Sequence, residues 1–490
     1  MLPRRWGART VTSTFRRPGR DPSAARRPSQ VFPRATAAFP STKDQPVLPR
    51  ERRGDKELGV SEFSTRGLNR RSFLKTAAVL GGTSLATACG GLKGTGSTSS
   101  DVLKIGYVSP QTGPLAGFAT ADNFVVEQVK NALRNGFTSG GRKRRIEIVV
   151  KDTQSNPNRA TEVTRELINS DKVDLIVGSS TPDTTNPVAD QCEANGVPNV
   201  TTIAPWEAWF HGRNGKDGEG FKYTTLFFFG MQEFGDCFFP MWERMDVGNK
   251  NVAALWPNDT DANAFRQGLG PMMKKAGYTP VDGGAYQNGA TDFTAQIAKF
   301  KESGAELFTC TPIPPDFQTF WKQARQQGFA PKLATVAKVM LFPSEAEALG
   351  RLTDNIATDF WWSPAHPYKS VLDGRSARQL ADDFAASTGK QWTQALGSVY
   401  SLFEIAVQAF KDAGDPKDRD EVASKLRSMK IECMSGKLDF TTGPQPGIAI
   451  QHPVGGQWRK GGKFPWDVVI VDNTANKEVP VGGDLKPTNA

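Results

Sequence analysis

The chain has 490 residues, with 61 Lys+Arg against 51 Asp+Glu and a formal net charge of +10. The excess is confined to the start: residues 1–88 hold 18 of the basic and 6 of the acidic residues, so the remaining 402 carry 43 and 45, a net charge of −2. That remainder is long enough for roughly two to three ordinary domains, and without a basic surplus it lacks the electrostatic footprint of a nucleic-acid-binding protein.

Residues 1–68 are rich in Arg, Pro, Ser and Ala with no apolar periodicity, which reads as unstructured. The next methionine after Met1 is Met231, and Val60 lies a natural distance before Arg70, so the expected start of the precursor is near Val60. Residues 69–89 read NRRSFLKTAAVLGGTSLATAC. The pair Arg70 and Arg71 before Ser72 and Phe73 is similar to a twin-arginine export signal. The 13 apolar residues 76–88 are too short to span ~30 Å of hydrocarbon but suit the core of a cleavable signal. Ala86, Thr87 and Ala88 before Cys89 resemble a lipoprotein cleavage box, with Leu85 one place earlier than usual. The expected mature N-terminus is therefore a lipidated Cys89, which anchors an extracytoplasmic protein to the cell membrane. Residues 90–100, GGLKGTGSTSS, form a flexible tether.

From residue 102 strands and helices alternate. Residues 102–108 read as a strand, and 123–133 carry Phe124, Val125, Val129 and Leu133 at helical spacing. A strand over 146–150, a helix over 159–169 and a strand over 173–177 follow. This order predicts an α/β fold of parallel sheets flanked by helices. Ligands of such sheets sit beyond the carboxyl ends of the strands. The loops there read SPQTGPLAGF (109–118), GSSTPDTT (178–185) and TTIAPWEAW (201–209). Small residues allow close backbone approach, hydroxyls allow hydrogen bonding, and Trp206 and Trp209 supply apolar walls. The second half repeats the pattern, with strands over 252–256 and 307–310 and helices over 262–276, 317–327 and 401–413. Two extended apolar runs, 223–229 and 356–362, lie between the alternating units; Trp361 and Trp362 in the latter suit either core packing or a lobe face.

The segments IGYVSPQTGPLAG and VKDTQSNPNRATEVTRELINSDKVDLIVGSSTPDTTNPVAD, followed in order by NVAAL, DFTAQIA and KQARQQG, resemble the branched-chain amino acid type of solute-binding protein that serves ABC importers. The resemblance covers residues 102 to about 472. It implies two Rossmann-like lobes joined by three hinge crossovers, with a ligand held between them. Lobe one would comprise 101–226 and 358–440, lobe two 227–357 and 441–475, with a C-terminal tail over 476–490. It also implies a monomer that uses no cofactor or metal and hands a small molecule to permease and ATPase subunits. The first-lobe site residues it implies are Phe118, Ser179, Ser180, Thr181 and Thr184, with Ala204 and Trp206 beside them. Trp256, Asp261, Ile313 and Lys338 would come from the second lobe.

The chain departs from the amino acid binders of this type. Their principal loop serine aligns with Pro182 and their threonine with Pro205, and their ammonium-binding glutamate aligns with Ala337, beside Lys338. The expected ligand is therefore something other than a standard α-amino acid, such as a small organic acid or aromatic carboxylate. In the alternative, Asp259, Asp261 or Asp316 takes an ammonium.

Chemistry finds little support. His211, His366 and His452 are scattered, with no HExxH, GxSxG or acidic metal cluster around them. The expectation is a binding protein and not an enzyme; a bilobal sensor receptor and a secreted hydrolase with an unrecognised site are the alternatives. Cys192, Cys237, Cys310 and Cys433 are not in zinc-site spacing, and either a disulfide or buried thiols fit them. If Cys89 carries the lipid, Cys89→Ser should move the protein from the membrane to the soluble fraction. Intact mass of the wild-type membrane fraction should match a chain that begins at Cys89; retention of Arg70 would refute this.

Overall fold

The chain divides into two units, Met1–Gly91 and Leu92–Ala490. The computed structural model describes residues 101–488, all in the second unit. The expected leader, export signal, Cys89 and tether lie outside the described residues.

Two seven-stranded sheets organise this unit. In spatial order the first is Ile448–Ala449, Thr224–Phe227, Asn199–Thr202, Leu175–Ser179, Val102–Ser109, Arg142–Asp152 and Phe137–Ser139. Its pairings are parallel apart from the terminal hairpin of Phe137–Ser139 with Arg142–Asp152. The second runs Trp466–Asp472, Val454–Lys460, Ala357–Phe360, Leu333–Val336, Leu307–Cys310, Asn251–Leu255 and Thr279–Asp282. It is parallel except where Val454–Lys460 pairs with Ala357–Phe360 and Trp466–Asp472. The central strands of both sheets are buried along their length, as strands covered on both faces must be. This is the α/β class that the alternating pattern predicted.

Strand pairing moves two expected lobe boundaries. Ala357–Phe360 lies wholly in the second sheet, so the boundary before 358 would cut a strand. Ile448–Ala449 extends the first sheet beside Thr224–Phe227, so that lobe continues past 440. The chain thus passes between the sheets near 228–230, 361–363 and 450–453. The expected tail also differs: Thr488 N–H donates to the Lys332 carbonyl at 2.8 Å and Lys486 N–H to Gln457 Oε1 at 2.9 Å. These bonds fasten the segment to the second sheet, because polar backbone groups at a sheet edge need partners.

One helix, Ala395–Asp412, is apolar around most of its circumference and is buried for nearly its whole length against the first sheet. Its only buried charge, Glu404, accepts from the Val371 and Met434 N–H groups at 2.7 and 2.8 Å, which ties an exposed loop and a buried hairpin turn to the core. The Trp362 ring, at the second crossover, packs on Gly397 of this helix so closely that a Cβ there would collide with the indole. The four cysteines beyond Cys89 are buried and are not bonded to one another. Among the described residues, no helix is long and apolar enough to cross a membrane.

The Trp362–Gly397 contact yields a stability test. Gly397→Ala should lower the unfolding free energy by roughly 1–3 kcal/mol through overpacking, although alanine favours a helix by ~1 kcal/mol over glycine. Chemical denaturation reads the net sign.

Candidate ligand-binding site between the lobes

The carboxyl ends of both sheets meet around one cavity of ≈ 30 Å³. At ~10–15 Å³ per water, that is room for about two waters. The first lobe contributes Phe118, Thr181, Ile203 and Pro205, and the first crossover Phe228 and Phe229. The second lobe contributes Asp261, Thr311, Ala337, Lys338 and Asp359, among others.

Backbone strain occurs on both walls of this cavity. Ser180, Thr181, Ile203 and Lys338 all have positive φ, at 78°, 33°, 57° and 66°. For a β-branched residue such as Ile203 this is a true outlier, and each such residue costs of order 1–3 kcal/mol. The strained turns follow directly on strand ends and aim the next residues at the cleft.

The polar centre is an ion triad. Lys338 Nζ lies 3.2 Å from Asp259 Oδ2 and 3.1 Å from Asp261 Oδ2, with all three side chains less than a tenth exposed. Asp259 also caps the helix Thr260–Gln267, accepting from Ala262 N–H at 2.8 Å, and accepts from Asn288 Nδ2 at 3.2 Å. Burial pushes its carboxyl up, but Lys338 and these donors outweigh burial and hold it below the ordinary range. Asp261 has only Lys338, so burial, reinforced by the charge of Asp259, lifts it to about 6. Burial alone would lower Lys338, but the two carboxylates raise it well above an ordinary lysine.

This triad corrects the charge expected in the second lobe. Lys338 does not offer a free cation to a ligand carboxylate: two aspartates compensate it and leave one formal negative charge over. The first lobe's Asp183 adds to that excess, acting on both Lys338 and Asp261.

Among the described residues, three buried polar atoms of the wall have no hydrogen-bond partner: Thr181 Oγ1, Thr311 Oγ1 and Asp261 Oδ1. Thr181 also precedes the 13-residue helix Pro182–Ala194, whose N-terminus favours negative charge. The arrangement offers a donor end in the first lobe, an acceptor end in the second, and rings between them. Phe118 stacks edge-on against Phe342 with ring centroids 4.7 Å apart.

Of the residues expected from sequence, Phe118, Thr181, Asp261 and Lys338 line the cavity. Ser180 is buried next to the wall, and its Oγ has no partner. Ser179 bonds instead with the Tyr107 hydroxyl at 3.2 Å, and Thr184 donates to the Ser180 carbonyl at 2.6 Å, so both serve the loop. Ala204 is buried between two lining residues. Trp206 packs on Gly230 at the first crossover, Trp256 lies beneath Arg266, and Ile313 caps the helix Pro314–Gln326. Asp316, the other candidate acid, receives the Gly289 N–H. The family resemblance also implied that 311–315 face the cleft, and Thr311 lines the cavity. The sequence reading did not single out Phe228, Phe229 and Asp359; the extended run 223–229 held the only signal for the first two.

A buried triad is most costly when it loses one member. Lys338→Met should therefore destabilise the protein by about 3–5 kcal/mol at pH 8. The depressed Asp259 contributes stability above its unfolded pKa of ~3.9, and that contribution needs Lys338. The penalty should therefore shrink as pH falls toward 4 and the aspartates protonate. Denaturation of both proteins across this range measures it.

Comparison with known proteins places this geometry. The profile of the periplasmic binding protein family matches residues 102–463. A leucine-, isoleucine-, valine-, threonine- and alanine-binding protein of Pseudomonas aeruginosa is 24% identical over 360 residues, covering 70% of this chain and 87% of that protein. Among solved structures, a leucine binding protein from Thermotoga maritima matches with a TM-score of 0.63 at 20% identity, covering 75% of this chain and 97% of that one. A solute binding protein of an ABC transporter from Rhodopseudomonas palustris, in complex with 3,4-dihydroxy benzoic acid, matches with a TM-score of 0.60 at 17% identity, covering 79% and 99%. With a family match over most of its length and two α/β sheets that meet at a cavity, the chain belongs to the periplasmic binding protein family.

Proposed function

We propose that the chain is the extracytoplasmic solute-capturing component of an ABC importer, tethered through Cys89, which delivers a small molecule to permease and ATPase subunits. Its lobes part to admit the solute and close to hold it. The ligand is a small zwitterion of the α-amino acid type. The observation that carries this reading is the unpartnered Asp261 Oδ1 on one side of the cavity with the unpartnered Thr181 hydroxyl on the other. An ammonium answers the first, and a carboxylate answers the second and the helix N-terminus behind it.

A ligand with a carboxylate alone fits less well. It would leave Asp261 unsatisfied in an apolar wall, or set two negative charges against each other. The names of the relatives point to both classes, since one is named for binding leucine, isoleucine, valine, threonine and alanine and another was solved with 3,4-dihydroxy benzoic acid. The local charge favours the amino acid.

Calorimetry on ligand-stripped protein tests this. At least one α-amino acid should bind, and Asp261→Asn should weaken that binding by at least about tenfold, the loss of one charge-assisted bond. Binding of 4-hydroxybenzoate or 3,4-dihydroxybenzoate without binding of any amino acid would refute the reading.

A further inference from the structure

Asp359 is a buried carboxyl that the amino and carboxylate ends of such a ligand leave unused. It stands near the end of the strand Ala357–Phe360, is 1% exposed, and lines the cavity with Phe228, Phe234 and Trp361. Neighbouring residues of a strand face opposite sides. Phe360 accordingly turns into the second lobe's core against Trp392 and Trp458. Asp359 turns the other way, with Ala357, toward the helix Met231–Arg244 and its Cys237.

Its carboxyl is bonded only by local groups, its own amide and Thr358 Oγ1 at 3.3 Å. No ion pair reaches it among the described residues. Burial, with the negative charge of Asp261 added, pushes it up to about 8, so at neutral pH it is mostly a neutral acid. A neutral carboxyl offers one O–H donor and open acceptor lone pairs. A packing role would be better filled by an apolar residue, because a buried acid without partners from elsewhere in the fold is a liability.

We propose that Asp359 is a specificity-determining residue that reads a hydroxyl on the ligand's side chain, so that the cavity selects a hydroxylated amino acid over its apolar counterpart. This rests on the reading of the cavity as an amino acid site. A hydroxyl gives and takes one hydrogen bond and matches the neutral acid in both senses, whereas an apolar group in its place leaves the acid unsatisfied. A site built to bond a hydroxyl rejects the analogue that lacks it far more strongly than an apolar pocket separates two alkyl groups.

The test uses two pairs, threonine with valine and tyrosine with phenylalanine, titrated into ligand-stripped protein. In wild type the hydroxylated member of at least one pair should bind about tenfold or more tightly than its counterpart. In Asp359→Leu that ratio should fall to about one, and in Asp359→Asn, which keeps hydrogen-bonding capacity, part of it should remain. Thermal melts confirm that each variant folds; if the leucine variant does not, the wild-type ratio and the asparagine variant decide. Ratios near one for both pairs in wild type, or a preference that survives in folded Asp359→Leu, overturn this inference alone. Binding of no amino acid overturns the ligand reading and this inference with it.

Discussion

The second lobe's side of the cleft is held in place by one interaction, the buried triad of Lys338 with Asp259 and Asp261. The aspartates follow the strand Asn251–Leu255 and the lysine follows Leu333–Val336, while Leu307–Cys310 runs between them in the sheet. The ion pairs therefore bridge over the end of the middle strand, where Thr311 lines the cavity. Taking three charges out of water is expensive, and a hydrophobic cluster of the same volume would often be as stable. What the charges add is direction, because a lysine held at positive φ by two fixed carboxylates can occupy few positions. One of the aspartates is fixed in turn by its helix cap.

The first lobe is built on a different principle. Its wall is backbone and hydroxyl, with strained residues at 180, 181 and 203 turning a helix N-terminus and Thr181 toward the space that the triad faces. The two walls have opposite electrostatic sense. The helix N-terminus behind Thr181 favours negative charge, although Asp183 in its first turn already supplies one, and the second wall carries an excess of it; on the proposed reading a ligand with separated ends suits the gap better than one with a single charge.

Much of the fold was legible in the sequence because β-branched runs alternate with helical apolar spacing from residue 102 onward. The loops worth searching were legible for the same reason, since parallel strands put their carboxyl ends together. Phe118, Thr181, Asp261 and Lys338 were named through the family resemblance, and all four line the cavity. The sequence could not reveal that Lys338 would meet two aspartates 77 and 79 positions away, so the sign of the local charge came out reversed. Trp206 and Trp256 read as walls because large rings beside small residues suit a pocket; close packing instead draws them against Gly230 and Arg266. Asp359 was hidden inside a short strand, where a lone acid among apolar residues gives no periodic signal. The two-residue strand at Ile448–Ala449 is too short for any pattern, and it is what moved the lobe boundary.

On the proposed reading, opposed walls make binding and closure one event. The donor end and the acceptor end belong to different lobes, so a ligand bound to an open form can satisfy only one of them. At the mouth of the cleft Thr260 Oγ1 donates to Asp183 Oδ1 at 2.5 Å and Phe118 meets Phe342, while nearer the crossovers Met231 N–H donates to Glu207, Gln394 Nε2 to the Asp359 carbonyl, and Lys437 pairs with Glu478. The contacts at the mouth are individually weak, since a single hydrogen bond is worth only about 1 kcal/mol net and an aromatic pair a similar amount. A ligand that bonds Asp261 and Thr181 at once adds interactions present only when the lobes are apposed, and a ligand shifts such an equilibrium by as much as its affinity differs between the two states. On the proposed reading, the same walls that define what is bound also define when the lobes close, which would let a permease tell a loaded protein from an unloaded one.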